Sequence, residues 1–389
     1  MTAIGSVIDR RRFLAAGASL AATGGFPRVA RAQAGRLKIG LMLPSSGALA
    51  PQGAAIENGF RLALQELRGR LGGRKVEFVK IDDESDAARA GDHVQRLVAQ
   101  DKVDLLLGTV HYGTALAMVR ATRELGVPHI LPGAGFGAAA GSLCAPNVFR
   151  TSYSNWQSGH AMGLVMAARG VKTMITIGWR SLAGEECVKG FRDAYLKGGG
   201  GIARELWLAL PGAEFHAPLA AIAALKPDAV FAYFTGAGAA GFLKSFRLAG
   251  LGEEIALVGP GQLTEGVETA LHYGDGLETP KNIAFRRAYR QAYRRLPDMH
   301  AVAGYDAGLL LEAGLRAVGG DAGRRAELFR AMERARIDSP RGQMRLSRTH
   351  NPIHSQYLRK VVGRENRITG IAARALDDDP AMLAACRMA

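Results

Sequence analysis

The chain has 389 residues, 48% of them apolar, and a formal net charge of +15 at pH 7. That length exceeds what one hydrophobic core comfortably organises, so we expect two domains. The Lys and Arg residues are scattered along amphipathic stretches without interleaved aromatic residues, which argues against nucleic acid as a partner. Such a positive field still attracts a small anionic ligand.

The first 34 residues predict an export signal. Arg10-Arg11-Arg12-Phe13-Leu14 precede a short apolar stretch that ends at Phe26, and Ala32-Gln33-Ala34 offer small residues to a peptidase. The stretch is too short to cross a bilayer as a helix, so we expect cleavage near Ala32 or Ala34 and no membrane insertion. The arginines resemble a twin-arginine signal, but Asp9 and Ala15 depart from that motif, and the general export route stays open.

Three cysteines are present, Cys144, Cys187 and Cys386. None has the spacing of a zinc site, so we expect no structural metal. In an oxidising compartment, one disulfide and one buried thiol are the simple arrangement. Cys187 falls inside a helical pattern, whereas Cys144 lies in a Gly-rich loop and Cys386 lies near the end of the sequence. We therefore predict a disulfide between Cys144 and Cys386.

From Arg36 onward, short β-branched and Leu-rich runs alternate with helical patterns, which predicts βαβ units and a parallel sheet. Apolar residues at helical spacing place a helix after the first strand, and Gly72-Gly73 are expected to end it. In chain order the first predicted elements are strand Leu37–Leu43, helix Ala54–Leu71, strand Val76–Ile81, helix Ala87–Ala99, strand Asp104–Gly108, helix Thr114–Leu125 and strand His129–Leu131. They make one doubly wound half.

A second series of the same plan follows Phe149-Arg150-Thr151-Ser152. Its strands are Thr173–Ile177, Ala203–Leu208, Ala229–Phe234 and Ile255–Val258, and its helices are Gln157–Ala168, Gly184–Lys197, His216–Leu225 and Gly238–Leu248. After Pro280 the pattern is mostly helical to Arg334, and short strands follow at Gly342–Leu346 and Tyr357–Val362. A helical block after two complete halves indicates that the chain returns to the first domain.

These elements predict an α/β fold of two doubly wound parallel-sheet lobes with a hinged cleft. Residues 1–34 form the signal, 35–151 with 279–338 form lobe I, 152–278 with 339–379 form lobe II, and 380–389 form a C-terminal tail. Three crossings are expected to join the lobes.

No motif for catalysis or a cofactor emerges. Gly236-Ala-Gly238-Ala-Ala-Gly241 has the context of a dinucleotide fingerprint, but no acid ends the next strand to bind a ribose. We expect these glycines to let a helix approach the sheet or to leave room for a ligand. Glu185-Glu186 open a helix, where the dipole alone favours acids, so a catalytic carboxylate pair is the weaker interpretation. The histidines lack metal-ligand spacing and are expected mostly at the surface or in turns: His111, His129, His160, His216, His300, His350 and His354.

The segment Gly108–Ala115 is more specific. It runs from the end of a strand into a helix N-terminus, where free backbone N–H groups and the helix dipole hold anions. It predicts that N–H groups around Gly113 and Thr114 bind a carboxylate without a basic side chain. The simpler alternative, an N-cap by Thr114, stays open.

The order and spacing of several short motifs resemble the type I periplasmic binding proteins of ABC importers, in the branched-chain amino-acid receptor group. The resemblance covers essentially the whole mature chain and rests on Ile39–Gly47, Gly53, Asn58-Gly59, Asp82–Asp86, Gly108–Ala115, Gly126-Val-Pro128, Val148–Ser152, Lys226-Pro-Asp228 and Gly304-Tyr305-Asp306-Ala307. It implies a non-catalytic receptor, expected to be a periplasmic monomer without cofactor, that closes on a ligand and delivers it to a membrane permease and its ATPase.

The resemblance also implies where the ligand binds. In amino-acid receptors of this group, hydroxyl side chains at the position of Tyr112 and near Gly135 bind the ligand carboxylate, and an acid near Gly261 or Gln262 pairs with its ammonium group. This sequence departs from that pattern at all three positions, and a buried ammonium without a carboxylate is costly. Amino acids therefore rank lower as ligands.

Other segments resemble the branch of the family that binds aromatic acids, including lignin-derived benzoates: Asn147–Gly159, Trp179–Glu186, Leu271-His272-Tyr273 and Asp338–Gly342. The segment from Gly261 to His272 is shorter than in that branch, which puts the second-lobe wall in question. The predicted anion site comprises His111, Gly113, Thr114, Gly133, Ala134 and Gly135. The predicted ring contacts are Tyr112, Phe136, Trp179 and Phe234, and the predicted polar rim is Gln52, Gln262 and Tyr305.

We therefore expect a receptor that captures a small, preferably aromatic, carboxylate for an ABC importer. A receptor of the same fold for branched-chain amino acids or amides is the alternative. Two alternatives of other classes are a ligand-sensing domain of a signalling system and, less favoured, an exported enzyme that uses the Gly236–Gly241 loop.

Overall fold

Two mostly parallel β-sheets organise the chain. The computed structural model describes residues 35–209, 214–261, 266–363 and 365–388. The predicted export signal and Gln262 lie outside these ranges. From Arg36 onward the described residues belong to one compact unit.

The first sheet has the strand order β2-β3-β1-β4-β5-β6. Its strands are β1 (Leu37–Leu43), β2 (Arg70–Leu71), β3 (Arg74–Asp82), β4 (Leu105–Gly108), β5 (His129–Leu131) and β6 (Val148–Arg150). All pairs are parallel except the β2–β3 hairpin. Three helices follow its strands: α1 (Ala50–Glu66), α2 (Ala90–Gln95) and α3 (Tyr112–Leu125). This order is the doubly wound plan predicted for the first half.

The second sheet repeats the plan and adds antiparallel strands at one side, in the order β12-β13-β14-β11-β10-β9-β7-β8, with β15 paired to β14. Its strands are β7 (Thr173–Trp179), β8 (Gly201–Leu208), β9 (Ala229–Tyr233), β10 (Ala256–Pro260), β11 (Glu268–Leu271), β12 (Arg336–Ser339), β13 (Gly342–Leu346), β14 (Pro352–Val362) and β15 (Glu365–Leu376). The remaining helices are α4 (Asn155–Ala168), α5 (Leu182–Lys197), α6 (His216–Leu225), α7 (Gly236–Leu248), α8 (Pro280–Tyr293), α9 (Met299–Ala317), α10 (Arg325–Glu333) and α11 (Pro380–Ala385).

Alternate residues of the strands enter different cores because side chains of a strand point to opposite faces. Leu105 and Leu107 pack in one core of the first sheet and Leu106 packs in another. The buried face of α9 closes the first of these cores against α1. A methyl group at Gly59 or Gly304 would overlap backbone of the facing helix, so these glycines let α1 and α9 touch.

The lobe boundaries taken from the sequence remain predictions. The segments in which the chain passes between the two sheets can be found from the core in which each neighbouring element packs. It leaves the first sheet after β6 and reaches α4, and it leaves β11 to reach α8, which lies against α1. Met344 and Leu346 of β13 still pack in the first-sheet core. The third crossing therefore lies between β13 and β14, in residues 347–351.

Several local expectations were wrong. The helix predicted to run to Leu71 ends at Glu66, because Arg68 and Gly69 take left-handed backbone conformations, and Gly72-Gly73 form the β2–β3 turn instead. The helix predicted at Ala87–Ala99 divides into α2 and a π-helical turn. Strands β2, β6, β11, β12 and β15 were not predicted, since each is very short or lies at an irregular sheet edge.

The expectation that most histidines lie at the surface or in turns holds for His216, which is exposed, and for His111 and His350, which lie in bends, but not for the majority. His129, His350 and His354 are buried, and only His216 of the seven is exposed. His129 lies in β5, where its Nε2 is 2.9 Å from the Gly108 carbonyl oxygen, and burial lowers its pKa to about 4. These imidazoles serve as neutral hydrogen-bonding groups inside the fold.

The Sγ atoms of Cys144 and Cys386 are 2.11 Å apart in a disulfide, the pairing expected from the sequence, and Cys187 is a buried thiol. Among the described helices, none has both the length and the apolar character needed to cross a membrane.

Candidate functional site

The loops after β4 and β5 bring two predicted ring contacts together. The ring centroids of Tyr112 and Phe136 are 5.3 Å apart. Phe136 is fully buried, and the Arg150 guanidinium lies 5.9 Å from its ring centroid. Arg150 also donates to the Phe136 carbonyl oxygen at 2.7 Å, which fixes this loop against β6. An aromatic wall therefore forms at the carboxyl edge of the first sheet.

The helix next to this wall begins earlier than predicted. Its N-cap is His111, whose Nδ1 accepts from the Thr114 N–H at 3.4 Å, so the expected alternative of a Thr114 cap was wrong. Thr114 is buried within the first turn and its N–H already has an acceptor. The N–H of Gly113 lies in the same first turn, where helices leave backbone donors without intrahelical acceptors.

A carboxylate that was not among the predicted ligand-binding residues has partners on both lobes. Glu186 of α5 accepts from the Tyr112 hydroxyl at 3.1 Å, from the Gly137 N–H at 2.9 Å and from the Asn155 Nδ2 at 2.9 Å. Tyr112 begins α3 and Gly137 follows β5, both on the side of the first sheet, whereas α5 follows β7 of the second. Glu186 therefore joins the two lobes, and burial raises its pKa above the ordinary glutamate value against the effect of these donors.

Tyr153, in the first crossing, completes the aromatic surface. A methyl group at Gly135 would come within 2.7 Å of its Cε2, so the glycine is what lets this ring lie over the loop. The ring stacks on His272 of the second crossing at 5.3 Å, and burial raises the pKa of the Tyr153 hydroxyl to about 12. The half-buried Tyr153 was not among the predicted ring contacts.

The rest of the Gly133–Gly135 loop is built for close packing. A methyl group at Gly133 would overlap the Thr109 carbonyl oxygen, and the Ala134 carbonyl oxygen accepts from the Ser152 hydroxyl at 2.7 Å. The Gly135 carbonyl oxygen accepts from the Asn155 N–H at 2.9 Å. The loop is thus held by both the first sheet and the first crossing.

The second-lobe ring contacts lie in a different environment from the one expected. The rings of Trp179 and Phe234 meet edge to face at 5.0 Å. Phe234 is fully buried and packs on Phe215 and Phe242 in a core cluster of the second sheet, and its assignment as a ligand contact stays a prediction. The Trp179 Nε1 is buried without a hydrogen-bond partner among the described residues.

One glycine of the Gly236–Gly241 segment, Gly238, has the packing role expected for this segment. A methyl group at Gly238 would overlap the Trp179 ring, so α7 lies directly against the end of β7. This confirms that the segment lets a helix approach the sheet.

Of the predicted polar rim, Tyr305 lies in a core cluster of the fold, and its role as a rim group stays a prediction. Its ring is fully buried against Phe285, with centroids 4.8 Å apart, and its hydroxyl donates to Glu66 at 2.6 Å. Gln52 is half-buried, and its Oε1 has no hydrogen-bond partner in the described part of the chain. Such an atom is available to a ligand or to water.

Beneath the site, one buried arginine connects the crossings. Arg341 donates to the carbonyl oxygens of Thr151 at 2.5 Å and Ser152 at 3.0 Å, and its Nη1 lies 2.7 Å from the His272 Nδ1. Its Nε donates to the fully buried Asp306 carboxylate at 2.9 Å. Arginine has no acceptor, so His272 accepts here. The hydrogen bonds of Arg341 therefore hold the first and second crossings together at the base of the cleft.

Within the described ranges, no three or more His, Cys, Asp or Glu side chains form a cluster that could hold a metal ion. The chemistry offered by the site is that of recognition: aromatic rings, backbone donors, one carboxylate and an unpaired amide oxygen.

The chain is similar to known proteins over most of its length. The sequence profile of a periplasmic binding protein family matches residues 36–366. The benzoate-bound solute-binding protein of an ABC transporter from R. palustris is 45% identical, with a TM-score of 0.84 over 91% of this chain and 100% of that one. Another, from Rhodopseudomonas palustris BisB5 in complex with 3,4-dihydroxybenzoic acid, is 28% identical, with a TM-score of 0.80 over 88% and 98%. The Leu/Ile/Val-binding protein homolog 6 of Brucella melitensis is 27% identical over 347 residues, which is 84% of this chain and 87% of that protein.

Proposed function

The chain belongs to the periplasmic binding protein family, and from that premise we propose that it captures an aromatic carboxylate for an ABC importer. The observation that carries this ligand class is the aromatic surface of Tyr112, Phe136 and Tyr153 at the carboxyl edge of the first sheet. The 45% identity to a benzoate-bound relative supports it. Rings of this kind stack on a planar ligand.

In this proposal the ligand carboxylate is bound by backbone donors of the first lobe. The Gly113 N–H at the start of α3 points to this role, since a helix N-terminus favours an anion. The unpaired Gln52 Oε1 suits a hydroxyl substituent on the ring. Closure then brings Glu186 of the second lobe onto Tyr112 and Gly137.

One observation favours the alternative of an amino-acid receptor. Glu186 is an acid at the site, and a carboxylate there could pair with the ammonium group of an amino-acid ligand. The relative from Brucella melitensis is named as a Leu/Ile/Val-binding protein homolog, which is consistent with such a ligand. Three donors already occupy its oxygens, however, and a carboxylate offers about four lone-pair positions. A ligand ammonium would have to displace part of this network.

The test is a ligand screen on the mature protein after unfolding and refolding to remove carried-over ligand. Benzoate, 4-hydroxybenzoate and 3,4-dihydroxybenzoate are compared with benzamide, cyclohexanecarboxylate and leucine by thermal shift and calorimetry. We expect the benzoates to stabilise the fold by about 2.7 kcal/mol at a hundred times Kd, with benzamide and cyclohexanecarboxylate much weaker. Stabilisation by leucine and by none of the benzoates would replace the ligand class.

The remaining assignments belong to the same proposal. We expect cleavage near Ala32 or Ala34, delivery to a permease with its ATPase, a monomer in solution, and no chemical change in the bound ligand. N-terminal mass spectrometry of the exported protein, light scattering, and recovery of unaltered benzoate after incubation check these points.

A further inference from the structure

The segment after β15 returns from the second lobe to the first. Strand β15 pairs with β14 of the second sheet. The chain then passes through Asp377–Asp379 into α11 and ends its described course beside Cys386, which is bonded to Cys144 in the loop before β6 of the first sheet. We name residues 377–386 the strap. It spans the lobes beside the three crossings.

The strap is bonded to both lobes along its length. Lys189 of α5 donates to the Asp379 carboxylate at 2.8 Å, and the Asp378 carboxylate lies 3.8 Å from the buried Arg150 guanidinium. Arg348, from the third crossing, donates to the Leu383 carbonyl oxygen. The attachment of the strap to the rest of the fold therefore does not depend on the disulfide alone.

The strap also touches the loop that shapes the candidate site. A methyl group at Gly137 would come within 3.3 Å of both the Met382 Cγ and the Glu186 Oε1. One at Gly141 would come within 2.9 Å of the Met382 Sδ. Met382 therefore packs against the loop whose Gly137 N–H donates to Glu186.

We propose that the strap is a fourth connection between the lobes, in which Met382 and the Cys144–Cys386 disulfide position the Gly137 loop for ligand-dependent closure. Met382 is a positioning residue: it acts through Gly137 and contacts no ligand. The effect on ligand affinity rests on the proposed function, whereas the support of the loop does not.

A disulfide that closes so long a loop, 242 residues, is also expected to stabilise any fold by restricting the unfolded chain. That role alone would lower stability on removal and leave the ligand dissociation rate unchanged. The two roles therefore separate when binding is measured well below the unfolding temperature.

The experiment compares the parent with Met382→Ala, Met382→Leu and the double variant Cys144→Ser, Cys386→Ser. Met299→Ala is the matched control, because Met299 is also half-buried and lies at the start of α9, away from the loop. We expect Met382→Ala and the double serine variant to weaken benzoate binding about tenfold, mainly through faster dissociation. Met382→Leu should restore the parent value, and Met299→Ala should keep it.

Hydrogen exchange of residues 137–140 without ligand provides the second readout. We expect it to rise about tenfold in Met382→Ala with the disulfide intact, and not in Met299→Ala. Unchanged exchange in this segment, or unchanged dissociation together with a lowered unfolding temperature, would overturn the proposal and leave the strap a stabiliser only. If the parent binds leucine but not benzoate, the proposed ligand class fails, and the dissociation rate of leucine and the exchange still decide the role of the strap.

Discussion

The hydrogen bond between the Tyr112 hydroxyl and the Glu186 carboxylate exists only while the lobes are together. The two residues are 74 positions apart and lie on elements of different sheets. Tyr112→Phe, Glu186→Ala and the combined variant form a double-mutant cycle on this contact. Because ligand binding and closure are linked, a contact made only in the closed form contributes to ligand affinity.

The geometry sets the expected size of the effect. The donor–acceptor distance is 3.1 Å, and hydrogen bonds to charged groups contribute about 1.5–3 kcal/mol. Tyr112 is half-buried, so the lower end applies. Tyr112→Phe leaves Glu186 with its bonds to Gly137 and Asn155, so roughly 1.5 kcal/mol is lost, or about a tenfold rise in Kd.

Titration calorimetry with benzoate on the four proteins gives the coupling energy. We expect about 1 kcal/mol, so that the combined variant binds little worse than Glu186→Ala alone. Glu185→Ala, an exposed neighbour in the same helix turn, is the control and should bind as the parent does. Effects that simply add, to within ~0.3 kcal/mol, would show that the contact does not assist closure.

Three further variants test the fold around the site. Arg341→Met should cost about 3–5 kcal/mol in urea unfolding because it strands the buried Asp306 carboxylate, and adding Asp306→Asn should recover much of that loss; no recovery would contradict the pairing. His129 is neutral in the fold, with its pKa lowered to about 4 from 6.5, so stability is present above pH 6.5 and falls by about 2 kcal/mol between pH 7 and 5; His129→Gln should show a correspondingly shallower loss. Gly304→Ala should lower stability by about 1–3 kcal/mol through overlap with α1, whereas Gly91→Ala, with nothing within 4 Å, should not; equal unfolding midpoints would contradict the close helix contact.

The sequence was enough to predict the sheets because their patterns are local. Parallel strands appear as apolar runs, and the loops at their carboxyl ends are where such folds bind ligands, which predicted Tyr112 and Phe136 at the same edge, where their ring centroids lie 5.3 Å apart. The alternation of side chains along a strand also bears on Phe234, which directly follows β9. Val230 and Ala232 of β9 pack with Phe234 in one core cluster of the second sheet.

The positions of Glu186, Tyr305 and Tyr153 depend on contacts between distant parts of the chain, which no local sequence pattern encodes. Glu186 resembles any acid in the first turn of a helix until the second lobe meets the first. Tyr305 lies in a helix that is buried on most of its surface, where an aromatic side chain is a packing residue, and its hydroxyl is satisfied by Glu66. The position of Tyr153 depends on Gly135, in the loop after β5, and on His272, in the second crossing.

When the lobes move apart, the polar contacts at the base of the cleft and those across the cleft are expected to behave differently. The Arg341 guanidinium is buried and bonds carbonyl oxygens within the first crossing, so breaking these bonds would leave unpaired polar groups in the interior. Glu186 is only half-buried, and water can replace its partners when the lobes part. Opening therefore breaks the contacts of Glu186 with Tyr112 and Gly137 and preserves those of Arg341. Because water can replace the bonds of Glu186 to Tyr112 and Gly137, we expect the ligand to contribute much of the free energy that favours closure.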